Sequence, residues 1–288
     1  MNPQNAFQST RGRAGERAFH LALLAATGVA VGSLVLLLIS VAAEGIGGLS
    51  MDFLTQFPSR FPAKAGFKVA IVGSIWILGI VIVVAIPVGV GAAVYLEELA
   101  SDHWFTRFIE TNIANLAGVP SIVYGILGLA FFARALDLGV SVLTAGLTMS
   151  LLVLPVIVIS SREALRAVPE SIREGGLALG ATRWQVVSRQ VLPAAAPGIL
   201  TGCILATSRA IGETAPLLLI GAVTFARFLP TGLDSRYTAM PVQIFSWIGL
   251  PQKGFHELAA AGIIVLLAIL LSMNAVAIYL RGRYERRW

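Results

Sequence analysis

The amino-acid sequence predicts an all-α integral membrane protein with six transmembrane helices, and two observations support this fold class. First, 57% of the 288 residues are hydrophobic and only 12% are charged. Soluble globular domains carry about 25% charged residues, so a soluble fold of this size would lack polar surface. Second, the hydrophobic residues are concentrated in charge-free runs, each close to or above the ~18 apolar residues that a membrane-spanning helix needs.

Charge-free runs locate the six predicted spans along the chain. They cover residues 19–43, 69–96, 111–133, 138–161, 191–208 and 258–280. The fifth run is unusual, because Arg209 and Glu213 interrupt it before apolar sequence resumes over 214–226. This span is therefore the main candidate for a functional site inside the membrane.

The distribution of basic residues predicts the topology of a single membrane domain, residues 19–280, with polar tails at 1–18 and 281–288. If the N-terminus is cytoplasmic, the inner segments hold 13 Lys and Arg residues and the outer segments hold 7. Cytoplasmic segments are enriched in basic residues, so we predict a multi-pass protein of the cell inner (plasma) membrane with both termini cytoplasmic. The long connections are then a cytoplasmic loop at about 162–193 and an outer-side segment at about 227–257.

The outer-side segment contains a charge-free run, 237–252, which is too short to cross the membrane and carries Pro241 and Pro251. We expect this run to form an interfacial or re-entrant segment. Trp247 is predicted to lie at headgroup depth, where Trp side chains are enriched.

The cytoplasmic loop is predicted to fold as two short helices joined by a tight turn. Pro169 suits the first turn of a helix, where its missing N–H costs nothing. Gly180 is placed to end that helix in a left-handed conformation. Thr182 then serves as an N-cap, Gln185 completes a capping box, and the second helix runs to about 192–193, where the next span begins. Such a pair is rigid enough to transmit force, although the same pattern is consistent with a passive connector.

Arg209 and Glu213 place two charges inside the fifth predicted span. Their i, i+4 spacing puts them on one helix face, where they can pair. Charges at this depth cost about 2.5–3.5 kcal/mol each and persist where they face a cavity or a partner. Gly212 and Pro216 can loosen the helix at this point. Two interpretations stay open: the pair packs helices together, or the planar guanidinium binds phosphate or carboxylate oxygens while Glu213 competes for it.

Three polar residues are weaker candidates for lining a pathway, namely Asn112, Asn115 and Ser121. Hydrogen bonds between helices are the alternative role for side chains of this kind. A secondary transporter or channel would also use intramembrane charge, but it would not need a long docking loop at 162–193.

The sequence contains no pattern typical of an enzyme or of a metal site. Its histidines, His20, His103 and His256, lie in three separate segments, and Cys203 is the single cysteine. The Gly-x-x-x-x-Gly-Lys-Ser/Thr loop that binds nucleotide phosphates is absent from the sequence. We therefore expect no catalytic residues, no metal and no cofactor bound by this chain. No basic stripe with interleaved aromatic residues indicates nucleic-acid binding.

The cytoplasmic loop resembles the signature loop of the inner-membrane subunits of binding-protein-dependent ABC importers. Glu174, Gly180, Leu192 and Pro193 match that motif at the family's spacing. The sequence departs from it at 175–176, where two glycines stand in place of alanines. The resemblance implies a permease of the type I ABC importer kind, whose loop inserts into a cleft on a separate ATPase subunit.

Further segments resemble the permease subunits of high-affinity phosphate importers. They are 118–125, 209–216, 240–247 and 255–258. Taken in order, these segments are similar to the PstA type of permease, although the sister PstC type shares a segment like 209–216. The resemblance implies that Arg209 and Glu213 are functional charges of the substrate pathway. A permease for sulfate, molybdate or phosphonate stays open, because an arginine recognises charge and geometry rather than phosphorus.

The resemblance also implies partners. A PstA-type permease pairs with a PstC-like permease in a heterodimer within the lipid bilayer. Two PstB-like ATPase subunits bind below it and carry the ATP and Mg²⁺. A PstS-like phosphate-binding protein delivers the substrate from outside.

Overall fold

The computed structural model describes residues 10–101 and 103–284, and all regular structure within them is helical. The α-helices are α1 (Thr10–Gly45), α2 (Met51–Thr55), α3 (Lys68–Val94), α4 (Trp104–Ala117), α5 (Ser121–Leu127), α6 (Val142–Arg166), α7 (Glu170–Ala178), α8 (Arg183–Val186), α9 (Leu192–Gly212), α10 (Ala215–Ile220), α11 (Met240–Ile248) and α12 (Lys253–Tyr284). Wider π-helical turns extend α3 over Tyr95–Leu99, extend α5 over Gly128–Ala135, and join α8 to α9 over Val187–Val191.

Five helical segments in the described part of the chain are long and apolar enough to cross a membrane. They are Gly15–Gly48, Lys68–Leu99, Val142–Arg166, Arg183–Gly212 and Lys253–Arg283. A sixth crossing exists if the bent pair formed by α4 and α5 counts as one span. The predicted all-α membrane fold is therefore confirmed, and the predicted number of six spans depends on that bent pair.

The third predicted span, 111–133, is wrong as a single straight helix. It consists of α4 and the helical segment Ser121–Ala135, whose axes differ by 107°. At the bend, the N–H groups of Gly118 and Val119 donate to carbonyls three residues earlier, at 3.1 Å each. Pro120 then ends the helix, because it lacks an N–H and disfavours helical geometry in the residue before it. Hydropathy does not register this break, since the run contains no charge on either side of it.

The fourth predicted span begins four residues too early. Asp137 and Gly139 have φ angles of 53° and 62° and form a turn in front of α6. The hydroxyl of Ser141 then caps the helix by accepting a backbone N–H three residues on, at 3.2 Å. Helix α6 continues to Arg166, so the first residues of the predicted cytoplasmic loop are helical.

Helix α1 is peripheral to the rest of the fold. The side chains of its apolar stretch are exposed. The last turn of α1 contacts α12, where a side chain at Gly45 would overlap Ala260. The predicted N-terminal tail is helical from Thr10 onward. The remaining tail residues, 1–9 and 285–288, lie outside the described residues.

The core is built around α6, of whose apolar window 67% is buried. Helices α3 and α9 approach it closely because glycines remove side chains at the contacts. A Cβ at Gly146 of α6 would lie 2.5 Å from Ile80 of α3, and one at Gly202 of α9 would overlap the hydroxyl of Ser160. Without a hydrophobic driving force inside lipid, such small-residue contacts are what bring membrane helices together.

The two ends of the bundle have different structures. The loop end, as we call it, holds the last turns of α3 and α6 together with α7 and α8. The opposite end holds the first turns of α3 and α6, helix α11 and the connections around them.

At the opposite end, Trp247 is 2% exposed and lies among Phe53, Phe67 and Phe255, with ring centroids 5.5–6.5 Å away. These rings cover Trp247 and form a second, smaller core, and its position at headgroup depth stays a prediction.

Two glycines of α3 provide a matched test of this packing. A Cβ at Gly73 would overlap the carbonyl oxygen of Thr238, a backbone atom in a buried segment, whereas a Cβ at Gly79 meets nothing within 4 Å. We expect Gly73→Ala to destabilise the protein by ~1–3 kcal/mol through overpacking, and Gly79→Ala to be neutral or slightly stabilising. Thermal midpoints of the two detergent-purified variants check this, and equal midpoints would contradict it.

Candidate functional site

Arg209 and Glu213 lie where the helix of the fifth span ends. Arg209 is in the last turn of α9, a position where a cation is favoured by the helix dipole. Glu213 follows the last helical residue, with extended backbone (φ −75°, ψ 131°). The Nε of Arg209 donates to the Oε1 of Glu213 at 3.5 Å. The predicted contact between the two charges is therefore present, although Glu213 lies just beyond the helix rather than on it.

The helix breaks here for reasons that the local sequence supplies. Helix α9 ends at Gly212, and α10 does not begin until Ala215. Pro216 occupies the first turn of α10, where it has no N–H to offer to the preceding turn. Helix α10 itself ends after six residues at Gly221, whose φ is +107°. The two charges thus stand beside a short non-helical joint between two helices, the kind of backbone that membrane transporters place beside a cavity.

The register of α9 against α6 gives the depth of the pair. The two helices run antiparallel, with Gly198 facing Ala164 and Gly202 facing Ser160. Extending this register places Arg209 level with residue 153, close to the middle of α6. The charged pair therefore lies near the centre of the bundle along its long axis.

Arg209 is on an open face of this chain. Its side chain is 59% exposed, whereas that of Glu213 is 19% exposed. Leu205 and Gly212, one turn before and one turn after Arg209 on the same face of α9, are also exposed. The arginine therefore projects from a mainly apolar surface, and an enclosed pathway around it needs a second wall that residues 10–101 and 103–284 do not supply.

The three weaker polar candidates do not join the charged pair. Asn112 and Asn115 are exposed on α4, and the amide of Asn112 donates to the Phe108 carbonyl of its own helix at 2.7 Å. Ser121 is the half-buried first residue of α5. Among the described residues, no hydrogen bond links these three side chains to Arg209 or Glu213.

The loop between α6 and α9 has the predicted helix–turn–helix structure. Helix α7 ends ahead of Gly180, whose φ of +81° is left-handed, and the Gly180 N–H donates to the Leu177 carbonyl at 2.9 Å. Thr182 and Gln185 form the predicted capping box: Thr182 Oγ1 accepts from the Gln185 N–H at 3.3 Å, and Gln185 Oε1 accepts from the Thr182 N–H at 2.8 Å. Helix α9 begins at Leu192, as predicted, but no break separates it from α8, because the π turn Val187–Val191 joins the two helices.

The glycines that replace alanines in the loop have different surroundings. A Cβ at Gly176 would lie 2.8 Å from Val186 of α8, so the missing side chain lets α7 pack closely on the second helix. A Cβ at Gly175 meets nothing within 4 Å. The tip of the loop is apolar and accessible, with Leu179 88% and Trp184 57% exposed. Glu174, which matches the family motif, is exposed on α7.

One set of charges at the loop end was missed by sequence reasoning. Three glutamates from α3 and α4 pair there with three arginines from α6 and α7. The available signal was that all six lie in the segments predicted to be cytoplasmic, 97–110 and 162–193, but nothing in their spacing indicates which acid meets which base. No group of three or more His, Cys, Asp or Glu suited to a metal ion occurs among the residues described.

Comparisons with known proteins agree with this architecture. Residues 85–288 match the family described as binding-protein-dependent transport system inner membrane component. A probable ABC transporter permease protein of Bacillus subtilis, YqgI, is 36% identical over 202 residues, which cover 70% of this chain and 69% of the relative. The phosphate transport system permease protein PstA of Yersinia pestis is 32% identical over 248 residues, which cover 85% of this chain and 82% of the relative.

A solved structure supports the fold. A chain of the crystal structure of a bacterial alginate ABC transporter, in complex with its alginate pentasaccharide-bound periplasmic protein, superposes with a TM-score of 0.68. At 15% sequence identity, 96% of this chain and 98% of that chain are covered. The predicted resemblance to PstA-type permeases is confirmed by the curated relatives. This chain belongs to the family of binding-protein-dependent transport system inner membrane components, as its loop motif indicated.

Proposed function

We propose that this chain is the permease subunit of an ATP-driven phosphate importer and forms half of its translocation pathway. The observation that carries the proposal is the position of Arg209, near the middle of the membrane bundle on an open face, with a carboxylate 3.5 Å away. The names of the PstA relatives supply the substrate class.

The chemistry of the charged pair suits transient binding of an oxyanion. The guanidinium of Arg209 offers planar donors that match phosphate oxygens, and its exposure leaves these donors accessible. An arginine alone in a site of low dielectric would hold a phosphate too strongly to release it. Glu213 competes with the substrate for the guanidinium, so the anion is exchanged rather than trapped.

The open face of α9 implies a partner of the same kind. A PstC-like permease would supply the second wall, so that Arg209 faces a pathway between two subunits rather than lipid. In the same assembly, the loop end faces the cytoplasm and both termini lie there, in agreement with the excess of basic residues in the inner segments. The opposite end then faces a PstS-like phosphate-binding protein.

The loop formed by α7 and α8 would be the contact with the ATPase. Its exposed apolar tip, with Leu179 and Trp184, suits insertion into a cleft of a PstB-like subunit. Two such subunits would bind ATP and Mg²⁺, so this chain itself needs neither a cofactor nor catalytic residues.

Phosphate uptake in cells lacking this gene tests the proposal. We expect the restored gene to recover uptake of micromolar radiolabelled phosphate in phosphate-starved cells, and excess sulfate and molybdate not to compete. Arg209→Gln should lower this uptake about 10- to 100-fold while the complex still assembles, because the charge-assisted hydrogen bonds to the anion are lost. Arg227→Gln, on the exposed connection at the opposite end, serves as the control for loss of an arginine.

The outcomes of this experiment separate the alternatives. Competition by sulfate or molybdate would assign another oxyanion to the permease. Failure of the Arg209→Gln complex to assemble would instead favour a role of the pair in packing. Uptake that persists unchanged in Arg209→Gln would remove Arg209 from the pathway.

The turn of the loop provides a second prediction. Gly180 has a φ of +81°, which a β-branched residue adopts only with strain and which Asn tolerates. We expect Gly180→Val to retain membrane insertion but to lose most ATP-driven uptake, and Gly180→Asn to keep it. Uptake and membrane content of the two variants are measured side by side, and equal uptake would contradict a coupling role for the turn.

A further inference from the structure

The loop is held to the membrane helices by a network of charged side chains, which we call the loop-end network. It comprises Glu97 and Glu98 after α3, Glu110 on α4, Arg162 and Arg166 on α6, and Arg173 on α7. Nothing in the proposed binding of phosphate or of the ATPase requires these contacts. Solvent-exposed residues would be enough to end these helices. The ion pairs between the helix ends therefore need another explanation.

Arg173 fastens α7 to the end of α3. Its Nη2 and Nε donate to the two carboxylate oxygens of Glu98 at 2.6 and 3.2 Å, a bidentate arrangement. The same guanidinium donates to the carbonyls of Leu165 and Val168, at 3.0 and 2.8 Å, where α6 ends. The side chain of Glu98 is 6% exposed and that of Arg173 is 16% exposed. One guanidinium thus joins three elements in a site that is largely shielded from water.

Arg173 stays protonated, and its contact with Glu98 therefore persists. Hydrogen bonding to Glu98 raises the pKa of Arg173 above its already high usual range, although burial acts in the opposite direction. The bidentate, shielded geometry distinguishes this contact from exposed ion pairs, which contribute little because water and side-chain entropy compete with them.

Glu97 and Arg162 connect the remaining helices. Glu97 accepts from Arg162 at 3.0 Å and from Arg166 at 2.7 Å, so that it spans one turn of α6. Arg162 also donates to Glu110 of α4 at 2.7 Å. The π turn that carries both acids directs neighbouring carboxylates to different partners, with Glu97 bound to α6 and Glu98 bound to α7. Helices α3, α4, α6 and α7 are therefore joined through six side chains.

Helix α4 leads from this network toward the charged pair in the membrane. After the 107° bend it continues as α5, which packs against α10. A Cβ at Gly125 of α5 would lie 2.7 Å from the Cα of Pro216, so the two backbones are in direct contact. Pro216 is three residues from Glu213. Helix α5 is therefore in contact with the start of α10, next to the joint that carries Glu213.

We propose that the loop-end network transmits movement of the α7–α8 loop to the intramembrane pair. It makes the loop move as one body with the ends of α3, α4 and α6, and α4 and α5 carry this movement to the joint at Glu213. This inference rests on the proposed function, because it assigns a role in coupling to residues of a permease. In this account Glu98 and Arg173 are positioning residues, which touch neither substrate nor ATP.

The test compares transport with ATP hydrolysis in the same preparation. The complete complex, purified through a tag on this chain, is reconstituted in proteoliposomes as wild type, Glu98→Gln, Arg173→Gln and the double variant. We expect ATP hydrolysis to continue, while phosphate taken up per ATP hydrolysed falls about 3- to 30-fold in each single variant. The double variant should be no worse than the singles, since the contact between the two side chains is already lost in each of them.

Two further variants complete the design. Glu163→Gln removes an acid that is 69% exposed on the same turn of α6 and lies 3.8 Å from Arg166, so it is expected to keep the wild-type ratio. Glu110→Gln breaks the contact with α4 at a side chain that is 31% exposed, so it leaves a smaller buried defect than the loss of Glu98. It is expected to lower the ratio as well.

Each other result has a defined meaning. A parallel loss of uptake and ATP hydrolysis, an unchanged ratio, or loss of assembly in both Glu98→Gln and Glu110→Gln would overturn the inference and assign the network a structural role. If the wild-type complex hydrolyses ATP but takes up no phosphate, the proposed function fails instead. The network is then judged by whether the variants abolish the stimulation of ATP hydrolysis by the binding protein.

Discussion

Close packing of α3 and α9 on α6 is the interaction on which the rest of this structure depends. Inside a bilayer the helices gain little by hiding apolar side chains from lipid, so contact through small residues decides which helices meet and at what height. The glycines at 146 and 202 set these heights, and they thereby place Arg209 near the middle of the bundle. The same packing brings the end of α3 next to the end of α6, where the loop-end network forms.

The intramembrane pair shows how a costly feature is accommodated by such a scaffold. A guanidinium facing hydrocarbon is unfavourable even on lenient scales, and one carboxylate at 3.5 Å compensates only part of that cost. The exposure of Arg209 in the single chain is therefore informative: the physics favours a protein or water-filled surface opposite it. A permease that pairs with a sister subunit meets this requirement, and the gap in the helix at 213–214 places non-helical backbone beside the same charges.

The loop and the pair lie at different heights of the molecule, yet each is attached to α6. Loop helix α7 could have been tethered by flexible chain, as exposed connections often are, but the largely shielded Arg173 fixes it to the ends of α3 and α6. The apolar tip with Leu179 remains outside this attachment and free for a partner. A contact that transmits force must be rigid on the side that faces the membrane helices. It must be accessible on the side that faces the partner.

The sequence by itself determined the membrane fold, the approximate spans, the helix–turn–helix of the loop, and the contact between Arg209 and Glu213. These features depend on hydropathy and on residues within a few positions of one another, such as the capping box of Thr182 and the left-handed Gly180. Only the tertiary structure decided the angle of the bend at Gly118–Pro120, the burial of Trp247, the exposure of Arg209 and the pairing within the loop-end network. Each of these depends on which helix lies beside which, and a pattern read along one helix contains no information about the neighbour that completes the contact.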